Sequence, residues 1–494
     1  MTSYPSTPGA ARVASAAGVV SAALVLAACG GGGDDGTQTA SVTPAVACSS
    51  LANKAFFNVQ VTAAVAVAAS GAVPAYCKVS GTENGTQHDI EIRLPDAWQL
   101  RYVEEGGGGY DGSIRQVGSA NIPLSSGAVQ GANNGGHRDP SGAVFLNNPL
   151  VVERYAHTAI LTATKFGKAV TNAYYGQQPK YSYYEGCSNG GRGALNAAAK
   201  YGAEFDGVIA GAPTRNLTGQ VEKWTTASAL SIPSATKLSA INAAAVAKCD
   251  ALDGAKDGIV SNWQACTFDP SVDVPSTVGL TAGEAAAVKS WMTDLKLSDG
   301  TTIYSGYGIG DMATQAQFYG FLGVGHIRNI VLNDATWPPS SFDVNSYYPT
   351  ISNVLDSKYG FSASVAGLAQ FLNEGKKIVV WQGSDDALLS HKDTIRTWQE
   401  VTSAAGTAGS ANSKVYIASG VNHCSGGPGA DTFDMLTPMM NWVEKGTTPG
   451  DIPASKVSAG VTQFTRPMCE YPKFPKYNGS GNVNDAANFT CAAS

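Results

Sequence analysis

Residues 181–194 read YSYYEGCSNGGRGA, and residues 195–202 continue as LNAAAKYG. An aromatic, strand-like run breaks at Gly186-Cys187-Ser188-Asn189-Gly190 and passes into alanine-rich, helix-forming sequence. G-x-S-x-G between a strand and a helix is the pattern of a nucleophile elbow, in which glycines permit a turn tight enough to present a serine Oγ at the head of the helix. Ser188 is therefore the candidate nucleophile. In a chain with 57 glycines the bare pattern also fits a glycine-rich surface turn, and the flanking strand and helix patterns decide against that reading.

A serine nucleophile needs a base, and an elbow of this kind is followed in the chain by an acid and then a histidine, each in a loop after a strand. The chain has six histidines. His88, His137 and His157 precede Ser188, His326 falls in a stretch read below as an insertion, and His391 and His423 remain. His423 follows the strand-like KVYIAS of residues 414–419 and is the predicted base; His391 is expected on the surface. The acid is expected after KIVVW, residues 377–381, where the sequence opens into QGSDDALL. Asp386 is preferred there, with Asp385 as the alternative. Either aspartate also suits a helix N-cap.

GCSNGGR at residues 186–192 together with NHC at residues 422–424 resembles the paired-cysteine serine and histidine motifs of the tannase and feruloyl esterase family of α/β-hydrolases, which includes mono(2-hydroxyethyl) terephthalate hydrolase-like enzymes. The resemblance spans nearly the whole chain after its leader. It implies an α/β class chain, with an α/β-hydrolase fold and a large inserted lid domain carrying a calcium loop. It also implies that Cys187 pairs with Cys424, clamping the elbow to the histidine loop. Such a bond restricts the unfolded chain and holds catalytic geometry.

Arg12 precedes a small and apolar run, residues 13–28, that ends in Leu26-Ala27-Ala28-Cys29. A charged start and an apolar core of this length form an export signal rather than a membrane span. Its end resembles a lipoprotein signal, with lipidation of Cys29 or cleavage without lipid as the two outcomes. Residues 29–44 read as a flexible tether. Nine cysteines less Cys29 leave eight, an even number outside the cytoplasm, which points to disulfides. Eight cysteines allow 105 pairings. The family resemblance implies Cys48 with Cys77, Cys187 with Cys424, Cys249 with Cys266, and Cys469 with Cys491.

Residues 249–260, CDALDGAKDGIV, space three aspartates by three and four, and glycines follow two of them. Such a run can wrap oxygens around a hard cation, although the spacing is not that of an EF-hand. The resemblance implies a structural Ca²⁺ held by the carboxylates of Asp250, Asp253 and Asp257 and the backbone oxygens of Ala255 and Ile259. The rival reading is an acidic surface turn.

With Arg12 in the leader, 31 Lys and Arg face 38 Asp and Glu, a net charge of −7. There is no basic patch for nucleic acid and no apolar run after the leader long enough to span a bilayer, so a membrane is expected only through a lipid on Cys29. The length calls for a main domain with an insertion. Residues 45–212 and 376–494 are read as the two parts of the hydrolase domain, and residues 213–375 as the lid.

DIEIRL, residues 89–94, alternates like a half-buried strand. A second strand leads into Gly106-Gly107-Gly108-Gly109, which resembles the family's oxyanion loop. Acyl transfer needs two backbone N–H donors, one after the nucleophile and one from an early strand loop. These are predicted as Asn189 and Gly109, with Gly108 as the alternative. Gly135, Gly136 and His137 are further candidates for the cleft, or His137 is a surface residue. The lid aromatics Trp224, Trp291, Tyr304, Tyr307, Phe318, Tyr319, Phe321 and Trp337 are expected mostly in the lid's own core.

The resemblance implies a small aromatic ester as substrate: a galloyl, feruloyl or other hydroxycinnamoyl ester, or a terephthalate monoester. No arginine occurs between Asn216 and Ile327, so a guanidinium for a free substrate carboxylate is expected only from Arg328 or from outside the lid. A non-catalytic, calcium-stabilised binding protein on the same scaffold and an aliphatic polyester depolymerase are the competing classes. The first has no need of serine, histidine and aspartate together, and the second calls for an open site.

Overall fold

Among the described residues ten strands form one sheet, and strands of its parallel half lead into Ser188, Asp386 and His423. The computed structural model describes residues 41–118, 121–310 and 318–494. The leader, Cys29 and the tether as far as residue 40 lie outside the described residues. The first strands are β1 (Ala55–Phe56), β2 (Val59–Val67), β3 (Tyr76–Glu83), β4 (Asp89–Pro95), β5 (Arg101–Glu105), β6 (Ala128–Asn133), β7 (Tyr181–Cys187) and β8 (Gly207–Gly211). The short strands β9 (Leu295–Lys296) and β10 (Thr302–Tyr304) pair only with each other, and β11 (Lys377–Gly383) and β12 (Ser413–Ala418) complete the sheet. The order is β1-β2-β3-β4-β6-β5-β7-β8-β11-β12. The strands from β1 to β4 pair antiparallel, β6 runs antiparallel to β4, and from β6 through β12 every pair is parallel.

The sequence of the parallel strands explains their position. Val208 and Ala210 of β8, with Ile378 and Val380 of β11, pack into one core with the helices Asn189–Tyr201, Val365–Asn373 and His391–Ala405. Ile209, Val379 and Trp381 face the opposite layer, with Met439 and Trp442 of the helix Leu436–Lys445. Strands covered on both faces need apolar residues in succession, as GVIAG and IVVW supply. DIEIRL forms β4 as expected.

Residues 212–376 lie between the neighbouring strands β8 and β11. Within this stretch a helix spans Ala282–Met292, and Thr281 and Glu284 form a reciprocal capping box at its start. Trp224, Trp291, Tyr304, Tyr307, Tyr319 and Trp337 are buried in the insertion, as expected, while Phe318 and Phe321 are exposed. The same core takes in Tyr110, Phe145 and Tyr155 from the first part of the chain. Each such ring buries about 150–250 Å², worth roughly 4–6 kcal/mol of transfer free energy before entropy. That layer seats the insertion against the loop after β5. The C-terminal strands β13 (Thr432–Phe433), β14 (Ile452–Ser458) and β15 (Val461–Met468) form a small antiparallel sheet, followed by the hairpin of β16 (Phe474–Tyr477) and β17 (Phe489–Ala492).

Four disulfides are present, with the pairing that the resemblance implied: Cys48–Cys77, Cys187–Cys424, Cys249–Cys266 and Cys469–Cys491. Among the described residues no helix is long and apolar enough to cross a membrane.

Candidate active site

Ser188 leaves the end of β7 at φ 64° and ψ −124° and caps the helix Asn189–Tyr201. A non-glycine residue at such a φ is strained by about 1–3 kcal/mol, and the surroundings must hold it there. They do so by close backbone approach. A Cβ on Gly186 would stand 2.7 Å from the Gly190 carbonyl, and one on Gly190 would stand 2.7 Å from the Gly107 oxygen. The glycines on either side of the serine are thus required by packing between the elbow and the loop after β5.

His423 lies in the loop after β12, and its Nε2 is 2.7 Å from Ser188 Oγ. On the other side of the ring, Nδ1 is 2.7 Å from Asp386 Oδ2. A carboxylate only accepts, so Nδ1 carries the proton and Nε2 turns a lone pair to the serine hydroxyl. Asp386 is buried, and it accepts from Gln382 Nε2 at 2.6 Å and from the N–H groups of Leu388 and Leu389, each at 2.8 Å. The insertion secures this loop. Trp224 Nε1 donates to the Leu388 oxygen at 2.9 Å, and Tyr319 donates its hydroxyl to the Ala387 oxygen. Asp385 accepts from Ser384 Oγ at 2.9 Å and lines a different cleft, beside Trp263 and His391. Between the two aspartates, Asp386 is the partner of His423.

The Cys187–Cys424 disulfide joins the residue before Ser188 to the residue after His423, across 237 residues of sequence. Closing a loop of that length restricts the unfolded chain by about 5 kcal/mol in the entropic model, with about 2–5 kcal/mol the usual observed cost of losing a native bridge. The double variant Cys187→Ala/Cys424→Ala is expected to melt at lower temperature and to lose about 10–100-fold in kcat at a temperature where it stays folded. Unchanged kcat in the folded variant would show that the bridge does not hold the serine and histidine in register.

Gly109 and Asn189 line the same cleft as Ser188. Gly109 has φ +57°, and its carbonyl accepts the Tyr155 hydroxyl at 2.7 Å. Asn189 Nδ2 donates to Asp111 Oδ1 at 2.7 Å, and its Oδ1 accepts from Arg192 Nε at 2.8 Å. Asp111 belongs to the glycine loop, so the Asn189 side chain ties together the two segments proposed to supply the oxyanion donors. Burial pushes the Asp111 carboxyl up to about 7, with the Asn189 amide and the Arg192 charge opposing the rise. Arg192 is buried, donates to the Ala156 and Tyr155 carbonyls at 2.5 and 2.8 Å, and lies about 5 Å from the Tyr155 and Phe361 ring centres.

Other expectations are corrected by packing. His391 is buried at the first turn of its helix, with its ring edge-on to Trp263 at 4.3 Å, rather than on the surface. His137 is buried between the Phe145 and Tyr155 rings and is neither a surface histidine nor part of the cleft around Ser188. Arg328 donates to the Trp337 carbonyl at 2.8 Å and is not among the residues lining that cleft. The cleft walls include Tyr155, Arg192, Trp224, Leu322 and His326. Of these, Arg192 carried a sequence signal, a lone charge one helical turn after the serine, whereas Tyr155 and His326 are distant in the chain.

In the acidic loop, Asp250 Oδ1 accepts from the N–H groups of Asp257 and Gly258 at 3.3 and 3.1 Å. Asp257 Oδ2 is held by Arg466 at 2.5 Å, and Asp253 Oδ1 accepts from Ala255 N at 2.9 Å. Asp253 Oδ2 is buried and has no hydrogen-bond partner among the described residues. Elsewhere among the described residues, Asp451, Cys469 and Cys491 come together, but both cysteines are spent in a disulfide.

The likeness to known proteins extends over most of the chain. A sequence model described as "Tannase and feruloyl esterase" matches residues 76–353 and 329–492. The chain is 32% identical to a mono(2-hydroxyethyl) terephthalate hydrolase of Piscinibacter sakaiensis, covering 87% of each. It is 28% identical to feruloyl esterase B of Aspergillus niger, over 81% of this chain and 83% of the relative. In structure it is similar to feruloyl esterase B from Aspergillus oryzae, with a TM-score of 0.80 at 24% identity, covering 89% of this chain and 98% of that one. Tannin acyl hydrolase from Aspergillus niger follows with a TM-score of 0.70 at 22% identity, covering 90% and 93%. These likenesses agree with the α/β-hydrolase architecture of the sheet, and the chain, a carboxylic ester hydrolase, belongs to the tannase and feruloyl esterase family.

Proposed function

We propose that the protein hydrolyses esters of aromatic hydroxy acids, of the feruloyl, galloyl or hydroxycinnamoyl kind, through Ser188, His423 and Asp386. The observation that carries this reading is the unbroken relay of two 2.7 Å contacts from Asp386 through His423 to the strained Ser188. In the proposed reaction His423 Nε2 takes the serine proton as Oγ attacks the ester carbonyl. Asp386 steadies the imidazolium that forms. The oxyanion rests on the N–H groups of Asn189 and Gly109. Collapse releases the alcohol with the proton returned by His423, and a water, activated in the same way, frees the acid from the acyl-enzyme.

The insertion is assigned as a lid, because Trp224, Leu322 and His326 come from it and wall the cleft over Ser188. Aromatic and apolar walls suit a phenyl ring. A terephthalate monoester hydrolase is the second reading, favoured by the 32% identity to the Piscinibacter sakaiensis enzyme. It is weakened by the arginines: Arg192 already serves Asn189, Ala156 and Tyr155, and Arg328 serves Trp337. Release of aromatic acid from methyl ferulate, methyl gallate, chlorogenate and mono(2-hydroxyethyl) terephthalate by the wild type but not by Ser188→Ala tests the function and ranks the acids. The four disulfides and the leader support a protein that works outside the cytoplasm.

The acidic loop is proposed to hold a structural Ca²⁺. A buried carboxylate oxygen on Asp253 without a partner among the described residues supports this, as does burial that pushes the Asp253 carboxyl up to about 6, a cost that a cation would offset. Asp250, Asp253 and Asp257, with the Ala255 and Ile259 oxygens, are the assigned ligands. The ion would brace the loop closed by Cys249–Cys266 and take no part in the chemistry. Chelation is expected to lower the melting temperature by on the order of 5 °C, reversibly on adding Ca²⁺, with activity at ambient temperature retained. An unchanged melt would remove the assignment.

A further inference from the structure

His326 is buried, and it is one of the walls of the cleft that contains Ser188. Its Nδ1 lies 2.7 Å from the Leu322 carbonyl oxygen, one helical turn earlier, and 3.1 Å from the Tyr110 hydroxyl. The carbonyl can only accept, so Nδ1 must carry the ring proton; with the other tautomer, two lone pairs would face each other at 2.7 Å. Tyr110 then donates its hydroxyl to the same Leu322 oxygen, at 3.1 Å. The ring also stays neutral, because burial pushes His326 down to about 4, the Arg192 charge adds to the fall and the Leu322 carbonyl only partly opposes it.

What is left is Nε2, on the ring edge away from Leu322. It is a fixed acceptor, buried and without a partner among the described residues. A buried polar atom without a partner is destabilising, and a ligand supplying the missing bond would offset that cost. The surrounding rings are aromatic: Tyr110, Trp224 and Phe361 have centroids 5.0, 6.4 and 6.5 Å from that of His326.

Resting on the aromatic-ester reading, we infer that His326 is a specificity-determining residue whose Nε2 accepts a hydrogen bond from a phenolic hydroxyl on the acid's ring. The same acceptor disfavours a ring carboxylate, which would bring a second acceptor against it. The choice between hydroxycinnamoyl or galloyl esters and terephthalate monoesters thereby falls to the first group, on a residue separate from the hydrolytic machinery.

The test compares kcat/KM for methyl 4-hydroxycinnamate and methyl cinnamate, which differ by the one hydroxyl, in wild type, His326→Phe and His326→Gln. The expected result is a hydroxy-to-unsubstituted ratio of about 10 or more in the wild type, near 1 in His326→Phe and partly restored in His326→Gln, whose amide oxygen can accept. Comparing ratios between variants cancels the intrinsic reactivity of the two esters. A wild-type ratio near 1 overturns this inference and leaves the esterase reading standing, as does a high ratio that persists in His326→Phe. Turnover of neither ester by the wild type overturns the inference together with the reading beneath it. Should His326→Phe fail to fold, as judged by its melting curve, His326→Leu, which likewise lacks an acceptor, takes its place, and a high ratio that persists there overturns the inference.

Discussion

Replacing Ser188 by alanine is expected to lower kcat for aromatic esters by about 10⁴–10⁶-fold, with KM little changed. The size follows from what Oγ does in the proposed reaction: it is the atom that forms the acyl bond, and no neighbouring side chain can replace it. The relay from Asp386 to His423 would stay in place but have nothing to deprotonate except water. The residual rate would come from the oxyanion donors and from substrate positioning, which typically leave about 10³–10⁴-fold over the uncatalysed reaction. Ser188 Oγ has His423 Nε2 as its hydrogen-bond partner, and alanine meets the same backbone strain at φ 64°, so the melting temperature should move little. Steady-state kinetics, with mass detection of a trapped acyl-enzyme in the wild type, would check both halves. A variant that kept its rate would take the nucleophile away from Ser188 and reopen the binding-protein reading.

How much of this was legible in the sequence depends on the distance over which each constraint acts. The elbow was readable because all of its requirements are local: a strand, glycines two residues either side of the serine, then a helix. β4, β11 and β12 were readable for the same reason, by alternation in DIEIRL and apolar runs in KIVVW and KVYIAS. His423 could be reached by position in the chain among six histidines. The choice between Asp385 and Asp386 could not, because adjacent residues in a loop point in different directions and the selecting contacts come from Leu388, Leu389 and Gln382 once the loop has folded. His391 was misjudged because it heads the polar run HKD, while its burial comes from Trp263, more than a hundred residues earlier. His326 was set aside with the insertion, and only the packing of that insertion over Tyr110 brings it to the cleft. The family likeness carried the disulfide pairing, which composition alone left open.

Asp386→Asn is expected to lower kcat by about 10⁴-fold, the scale seen when a triad carboxylate becomes an amide, whereas Asp385→Asn should cost less than about tenfold. The argument rests on who donates to whom. In the native site Asp386 Oδ1 accepts two backbone N–H groups and Oδ2 accepts Gln382 Nε2 and the His423 Nδ1 proton. An asparagine keeps its oxygen toward the two backbone donors, since these cannot move, and so places its NH₂ group against Gln382 and His423. Two donors then face each other at Gln382. At His423 the amide donates to Nδ1, which shifts the ring proton to Nε2 and turns a proton, rather than a lone pair, toward Ser188. The base is held in the wrong tautomer with its geometry nearly intact, so kcat falls while substrate binding is retained. Asp385, which accepts from Ser384 and lies beside a separate cleft, has no such lever on the ring. Measuring kcat and KM for both variants, with melting curves to confirm folding, separates the two aspartates. A large loss in Asp385→Asn and a small one in Asp386→Asn would move the role to the neighbouring residue and overturn the hydrogen-bond argument for Asp386.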